Sequence, residues 1–249
     1  MRIATFNVHH GTVGKGGPVD PEQLGEVCAA FDADVVALQE VDLRTYRTHR
    51  ADLAAVAARA CDMAHVFAPA RRFPGGWYGN ALLVRGDIRS WSVRRLPVIP
   101  SWKVWQERRA VLEAEVTLDR AGGGRATGPA ALTVVVTHLA VPQSVNGPQL
   151  DHLLAGLVGR SGPLVVAGDL NRRPVGVEDP AARAGLTMVH HPPTNPVPDP
   201  VRPIDHVLLS RDLRATAHEV RATTMSDHAA LLVDIEPVPE LRAIPPGGR

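Results

Sequence analysis

Cysteine is scarce in this sequence, and so are long apolar runs. Among 249 residues only Cys28 and Cys61 are cysteines, which excludes a small disulfide-rich secreted scaffold. Both lie on apolar faces of segments with helical periodicity, and we interpret them as reduced core residues of the kind typical of the cytosol. No apolar run reaches the ~18 residues of a membrane span, so the sequence predicts no integral membrane contact.

Lysine is rare as well, and the net charge is small. Lys15 and Lys103 are the only lysines, and 27 basic against 26 acidic residues leave a net charge of +1. No global field then draws the protein to nucleic acid or to an anionic membrane. A nucleic-acid role has to rest on a local patch, and a solvated surface is the simpler interpretation of most arginine pairs. These pairs are Arg71–Arg72, Arg94–Arg95, Arg108–Arg109 and Arg172–Arg173.

The composition is typical of a globular protein, with 45% apolar and 21% charged residues. The opening segment MRIATFNVHHG lacks a basic stretch followed by a long apolar core. It predicts no signal peptide and, with it, a cytoplasmic location. Because no linker or repeat divides the chain, we expect one domain over residues 1–236 and a Pro- and Gly-rich tail over residues 237–249.

Helical periodicity occurs in three segments. The first helix is predicted to begin at Pro21, with Asp20 as its N-cap and Gln23 closing a capping box. The second is predicted over Leu53–Cys61. The third is marked by apolar residues from Leu150 to Val158 and is stopped by a glycine.

Short apolar strands alternate with these helices, which predicts an α/β domain with mixed sheets and outer helices. The segment Ala64–Leu118 lacks a helical period and predicts an antiparallel meander. We expect a flexible loop tip at Ala121–Pro129 and a proline-rich surface loop near a site at His190–Pro203. Further strands are predicted at Ile3–Val8, Val35–Glu40, Leu132–Ala140 and Pro163–Asn171, and within Ile204–Ser210 and Ser226–Ile235.

Several of these strands run apolar and then end in polar groups. Buried carboxylates are costly unless they are paired or bound to metal, and strand ends in α/β folds are where ligand sites gather. Carboxylate and amide oxygens suit Mg²⁺, and histidines serve acid–base roles, so the set fits a divalent cation and a phosphate. Its members are Asn7 with His9 and His10, Glu40, His138, Asp169 with Asn171, Asp205 with His206, and Asp227 with His228.

The order of the motifs supplies a resemblance. Taken together, an early LQE, then GDLN, then SDH form a strong pattern. The chain resembles the endonuclease/exonuclease/phosphatase superfamily, whose DNase I-like fold implies a four-layer α/β sandwich with two facing mixed β-sheets flanked by helices. The matching segments are TFNVHHG (5–11), LQEVD (38–42), YGNALLVR (78–85), RRAVLEAEV (108–116), THLA (137–140), GDLN (168–171), IDHVLLS (204–210) and SDHAALLVDI (226–235).

The resemblance also implies how a cation is held. In the LQE context Glu40 resembles the metal ligand of the family, while Asn7 of the FN motif resembles the amide that helps to hold metal or phosphate. Asp227 of the SDH motif resembles the aspartate near the metal. The implied cofactor is Mg²⁺, with Mn²⁺ as a substitute.

Catalytic roles follow from the same resemblance. Asp169 and Asn171 of GDLN resemble the pair that orients the attacking water and binds the phosphate, and His228 resembles the histidine that faces the phosphoryl oxygens. Asp205 resembles the carboxylate that orients a catalytic histidine, and its partner is either His138 or His228. Asn80 and Arg109 lie in segments that run near the substrate in the family, whereas the remaining histidines of the motifs are interpreted as satisfied or solvent-facing.

These roles imply Mg²⁺-dependent hydrolysis of a phosphodiester, with a nuclease ahead of a phosphoesterase for a lipid or a small phosphorylated molecule. THLAVP stands where DNA-repair members carry a Tyr-x-Pro segment, which argues against an apurinic-site enzyme. Aromatic residues make up only 4%, which argues against a sphingomyelinase with an exposed aromatic hairpin. A non-catalytic binding module is disfavoured because every expected catalytic position is filled. Nothing in the sequence indicates an oligomeric state.

Overall fold

A computed structural model gives the fold and describes residues 1–99, 106–119 and 131–239. The predicted loop tip Ala121–Pro129 and nearly all of the predicted tail lie outside the described residues. Within these ranges, no helix is long and apolar enough to cross a membrane.

Twelve strands and four α-helices build the described part of the chain. The strands are β1 (Arg2–Asn7), β2 (Val35–Leu43), β3 (Ala64–Phe73), β4 (Gly76–Val84), β5 (Gly86–Arg95), β6 (Ala110–Leu118), β7 (Leu132–His138), β8 (Leu164–Asp169), β9 (Leu186–Met188), β10 (Asp205–Ser210), β11 (Leu213–Arg221) and β12 (Ala230–Pro237). The helices are α1 (Pro21–Ala29), α2 (Leu53–Cys61), α3 (Gln143–Ala155) and α4 (Glu178–Arg183).

The strands form two mixed six-stranded sheets, in the orders β11-β12-β1-β2-β4-β3 and β5-β6-β7-β8-β10-β9. Strand residues alternate between two faces, so each sheet buries both sides. Ile3 and Val134 belong to the cluster between the sheets, whereas Phe6 packs with α1 and α2, and Val135 packs with α3 and α4. The layers therefore follow in the order helices, sheet, sheet and helices, which confirms the predicted four-layer sandwich.

Strand register decides where the site forms. β1 runs parallel to β2, and β7 runs parallel to β8 with His138 opposite Asp169. β10 runs antiparallel to β8 and places Asp205 opposite Asp169. Because the carboxyl ends of parallel strands meet at one edge, the polar residues that end β1, β7 and β8 lie together at the same end of the sandwich.

The predicted N-terminus of α1 is confirmed, but the prediction that Gln23 closes a capping box is wrong. The Asp20 carboxylate accepts from the Gln23 backbone N–H at 3.0 Å. The Gln23 side chain donates instead to Thr224. The Asp20 N–H that a capping box would use already donates to the carbonyl of Gly11 at 2.8 Å, so no donor is left for Gln23 to satisfy.

The third predicted helix is shifted toward the N-terminus. α3 begins before Pro148 and ends at Ala155, and Val158 beyond it is 62% exposed. The Asn146 side chain donates to the carbonyls of Ala140 and Leu170 at 2.7 Å each, which ties the turn before Pro148 to the sheet. This anchoring supports a helix across a proline that sequence patterns treat as a boundary.

Candidate active site

Asn7 joins the two sheets at the site. Its side-chain Nδ2 donates to Oε1 of Glu40 at 3.2 Å and to Oδ2 of Asp169 at 3.1 Å. Glu40 belongs to the first sheet and Asp169 to the second. The Asn7 carbonyl accepts from Ser226 Oγ at 2.6 Å. This one amide therefore brings together two carboxylates that are far apart in the sequence.

Glu40 lies at an irregularity in β2. The pairing of β2 with β4 shifts register between Leu38 and Val41, and Glu40 has a φ of 58°. Such a bulge re-aims a side chain at a strand end. Burial opposes ionisation, but neighbouring His10, His138 and Asn7 outweigh it and hold the pKa of Glu40 below its ordinary value. Glu40 is therefore ionised at neutral pH.

The partner of Asp205, left open by the sequence, is His228. Nδ1 of His228 lies 2.8 Å from Oδ2 of Asp205, and Thr194 Oγ1 donates to the same oxygen at 2.6 Å. The other ring nitrogen of His228, Nε2, faces Oδ2 of Asp169 at 3.9 Å. Burial lowers the pKa of His228, but Asp205 and Asp169 raise it to about 10, so the ring is a cation at neutral pH.

The environment of Asp169 makes its carboxylate a stronger base. The carboxylate is buried and lies near the charge of Asp205, and both effects raise its pKa. Its Oδ1 accepts from the backbone N–H of Asn171 at 2.8 Å. A carboxylate with a raised pKa is suited to take a proton from water near neutral pH.

His138 differs from His228 in charge. Arg109 Nη1 lies 2.9 Å from His138 Nδ1, and a guanidinium can only donate, so Nδ1 accepts and Nε2 carries the proton. Nε2 is 3.4 Å from Oδ2 of Asp169. Burial, and then the charge of Arg109, lower the pKa of His138 well below its ordinary value. His138 is thus a neutral donor aimed at Asp169.

Asn171 and Asp227 lie beside this network. Asn171 has a φ of 49°, and its Nδ2 donates to the carbonyl of Leu139 at 3.0 Å. The same Nδ2 lies 3.1 Å from His138 Nε2, but this is no hydrogen bond when Nε2 carries the proton, because both atoms are then donors. Asp227 is half-buried and raises the pKa of both His9 and His228 through its charge. The phosphate contact of Asn171 and the metal contact of Asp227 stay predictions.

The two predicted substrate-binding residues are engaged inside the protein. Asn80 Nδ2 donates to the carbonyl of Ala110 at 3.0 Å, which links β4 to β6 across the sandwich. Arg109 is buried and pairs with Glu107 at 3.0 Å as well as with His138. A substrate contact by either residue stays a prediction.

Some residues of the site escaped sequence reasoning. Thr194, in the proline-rich loop, holds Asp205 and gave no signal in the sequence. Ser226 stands within the SDH motif and accepts from the His228 N–H at 3.1 Å. His9 and His10, interpreted from the sequence as satisfied or solvent-facing, lie beside Glu40 with a left-handed backbone at both residues.

The donor set fits a divalent cation. Within the described ranges, His9, His10 and Glu40 form one group with metal-ligand spacing, and Asp169, Asp205 and His228 form another. His10 Nδ1 and Asp205 Oδ1 are buried with no hydrogen-bond partner among the residues that the structure describes, and a buried polar atom left unpaired is costly. Carboxylate, amide and imidazole donors are all common ligands of divalent metals.

Two clefts rich in arginine lie near these residues. One has a volume of about 440 Å³ and is lined by Asn171, Arg172, Arg173 and Arg202 among others. The second, of about 510 Å³, is lined by Arg71, Arg72, Arg95, Arg108 and Trp77 among others. Because Asn171 belongs to both the first cleft and the network of His138, that cleft adjoins the candidate site.

The sequence pattern of the Endonuclease/Exonuclease/phosphatase family matches residues 4–228. The chain belongs to this family. Its members are hydrolytic phosphoesterases that generally use divalent metals. The match includes every candidate site residue, from Asn7 to His228. Among curated proteins, none matches the chain by sequence.

Solved structures place the chain in the same family fold. An endonuclease/exonuclease/phosphatase from Beutenbergia cavernae DSM 12333 aligns with a TM-score of 0.74 and 22% identity, over 95% of this chain and 71% of that chain. The human Nocturnin catalytic domain with bound sulfate aligns with a TM-score of 0.72 and 19% identity, over 96% of this chain and 94% of that chain. A mannosyl-6-phosphatase from Bacteroides thetaiotaomicron VPI-5482 aligns with a TM-score of 0.69 and 14% identity, over 94% of this chain and 99% of that chain. These likenesses concern the fold.

Proposed function

We propose that this member of the family hydrolyses a phosphodiester with Mg²⁺ as cofactor and Mn²⁺ as a substitute. The observation that carries the proposal is the meeting of Glu40, Asp169 and the Asp205–His228 pair around the Asn7 amide. Separate structural roles would not require four polar groups at one strand edge, since each pays a desolvation cost on burial.

Glu40, Asn7 and Asp227 would hold the cation. When bound, a divalent cation polarises a phosphoryl oxygen and stabilises the leaving oxygen. Glu40 is suited to this role because its pKa is lowered and it stays ionised at neutral pH. The side-chain oxygen of Asn7 accepts from the backbone N–H of His9 at 3.0 Å, which fixes the amide and aims its Nδ2–H groups at both carboxylates. Asn7 would therefore act mainly by holding these carboxylates in place, and only the second lone pair of its oxygen is left for a cation.

The remaining residues would accept the proton of the attacking water and stabilise the negative charge that develops on the phosphoryl oxygens. Asp169 orients the attacking water and accepts its proton, and His138 Nε2–H holds that carboxylate in place. His228, kept cationic by Asp205, meets the phosphoryl oxygens as negative charge builds. Asn171 would bind a non-bridging oxygen. Each residue therefore has a different task, and the tasks are linked, since Asp205 keeps His228 charged and His138 holds Asp169.

Nucleic acid is the substrate class that we propose first. The support is the arginine lining of the two clefts, of which the first includes Asn171, because arginines bind a phosphate backbone. A small phosphorylated molecule is the second candidate. It is favoured by the first cleft, because about 440 Å³ next to Asn171 matches the volume of a small-molecule site.

The first test measures hydrolysis of plasmid DNA, single-stranded RNA, sugar phosphates and bis-p-nitrophenyl phosphate with Mg²⁺, Mn²⁺ or EDTA. We expect metal-dependent turnover that Asp169→Asn lowers by about 10²-fold or more, because the proton acceptor is lost. Asp151→Asn, at an exposed position in α3, is the matched control. Activity that persists in EDTA, or that Asp169→Asn leaves unchanged, contradicts the proposal. Nicking of plasmid with steep salt dependence supports the nucleic-acid substrate.

A further inference from the structure

Two consecutive histidines lie next to Glu40. Nδ1 of His10 is 3.9 Å from Oε2 of Glu40, too long for a hydrogen bond. The same Nδ1 is buried without a hydrogen-bond partner in the described part of the chain. Two ligand atoms that each lie about 2.1 Å from one metal ion are roughly 3 to 4 Å apart. The separation therefore suits two ligands of one ion.

The hydrogen bonds of His9 leave one of its ring nitrogens free. Its Nδ1 is 3.0 Å from Thr12 Oγ1, and that hydroxyl also lies within reach of two carbonyls, those of His9 and Gly14. Two carbonyls compete with Nδ1 for the single hydroxyl proton of Thr12, and in the tautomer in which a carbonyl takes that proton, Nδ1–H of His9 donates to Thr12 Oγ1. Nε2 of His9 then keeps its lone pair, as in metal-binding histidines whose other nitrogen is oriented by a second hydrogen bond.

We propose that His9, His10 and Glu40 form a nitrogen-containing metal site that selects a first-row transition metal, of the Mn²⁺, Co²⁺ and Zn²⁺ class, over Mg²⁺. Ligand atoms of the three residues lie within 4.8 Å of one another. Imidazole nitrogens suit transition metals, whereas Mg²⁺ prefers an all-oxygen shell. The inference rests on the proposed function, because it concerns the ion at Glu40, and it revises one part of that proposal: Mn²⁺ rather than Mg²⁺ becomes the ion that the site binds more tightly.

The backbone supports the same assignment. His9 and His10 have φ values of 42° and 47°, in the left-handed region that costs a non-glycine residue of order 1 kcal/mol or more. Ligand atoms of both side chains lie within 4.8 Å of a carboxylate oxygen of Glu40. A shared ligand would offset the cost of this backbone conformation.

The test uses the whole protein, freed of metal with a chelator and loaded with Mn²⁺. Electron spin-echo envelope modulation detects ¹⁴N nuclei bound to Mn²⁺. Electron paramagnetic resonance of free Mn²⁺ gives the Kd of the protein for Mn²⁺, and competition with Mn²⁺ gives the Kd for Mg²⁺. The variant His9→Asn/His10→Asn is suitable because asparagine tolerates a left-handed backbone. His65→Asn, at an exposed position in β3, is the matched control.

We expect ¹⁴N modulation in the wild type and in His65→Asn, and its loss in the double variant. The Kd for Mn²⁺ should rise about tenfold or more in the double variant, with a smaller change for Mg²⁺. Bound Mn²⁺ without ¹⁴N modulation in the wild type overturns the inference, even if the variant does not fold. Modulation that survives in a folded double variant overturns it as well. Both results leave the proposed function standing, whereas wild type that binds neither Mn²⁺ nor Mg²⁺ contradicts the proposed function too.

Discussion

Single side chains in this site are distinguished by which atom carries a proton. His138 and His228 both face Oδ2 of Asp169, yet burial and the charge of Arg109 keep the first ring neutral, whereas Asp205 and Asp169 outweigh burial and keep the second ring charged. The difference comes from the partner of Nδ1 in each ring: a guanidinium for His138 and a carboxylate for His228. Two histidines of the same type thus acquire different chemistry from their neighbours.

Arg109→Met removes the charge that keeps His138 neutral. We expect the pKa of His138 to rise and its fixed tautomer to be lost, because the charge of Arg109 no longer opposes the proton, although burial and the charge of His228 still do. Turnover should fall about tenfold or more, since a mis-oriented imidazole is a poor donor. ¹H–¹⁵N spectra of the histidine rings across pH report the tautomer and the pKa. An unchanged His138 titration would show that Arg109 does not position it. Arg183→Met, outside the site in α4, is the control.

His206 makes the protein less stable in acid. Burial lowers its pKa to about 4, below the ~6.5 of an unfolded chain, so the unfolded state takes up the proton first as the pH falls. This one residue should cost about 2 kcal/mol of stability between pH 7 and pH 5. His206→Gln keeps a donor for the carbonyl of Arg172, which His206 Nε2 contacts at 2.8 Å. Urea unfolding at both pH values should show a flatter dependence in this variant than in the exposed control His65→Gln.

The helices and strands differ in how clearly the sequence predicts them. α1 and α2 both begin at an aspartate whose side chain accepts from a backbone N–H three residues on, and this local pattern is visible in the sequence. β11 escaped prediction because it is an edge strand with mostly exposed residues and no apolar alternation. Its existence depends on pairing with β12, which is a long-range contact.

Removal of the α1 cap should weaken that helix. Asp20→Ala leaves the Gln23 N–H without its side-chain acceptor, so we expect a loss of about 1 kcal/mol in the free energy of unfolding. Glu26→Ala, exposed in the same helix, serves as control and should change it by less than about 0.5 kcal/mol. Thermal or urea unfolding measures both. Equal effects in the two variants would mean that the cap contributes nothing specific.

At the scale of the whole molecule, the cluster between the sheets holds the two halves of the site at their separation. Asn7 and Glu40 come from one sheet, and Asp169, His138 and Asp205 come from the other. Any change in how the sheets pack would move these two sets relative to each other. A shift of about 1 Å is enough to lower an enzyme's rate substantially, so packing and catalysis are coupled here.

Leu112→Ala tests this coupling from within the inter-sheet cluster. Leu112 is fully buried there, so truncation should cost about 2 to 5 kcal/mol of stability. Turnover should also fall, at a temperature where the variant is still folded. Val158→Ala is the control, because Val158 is 62% exposed and its truncation should have little effect. Normal turnover in a destabilised Leu112→Ala protein would show that the site tolerates looser packing.

The local sequence determined much of this protein. The capping aspartates and the apolar strands depend on neighbouring residues. The motifs LQE, GDLN and SDH carry the family resemblance, and that resemblance implied the sandwich and one site for Glu40, Asp169 and His228. Other features depend on contacts between distant segments. Gln23 turned to Thr224, His228 rather than His138 became the partner of Asp205, and His9 and His10 came to lie beside Glu40. Only the tertiary structure decided these, because side-chain partners and proton positions are set by packing across the two sheets and not by spacing along the chain.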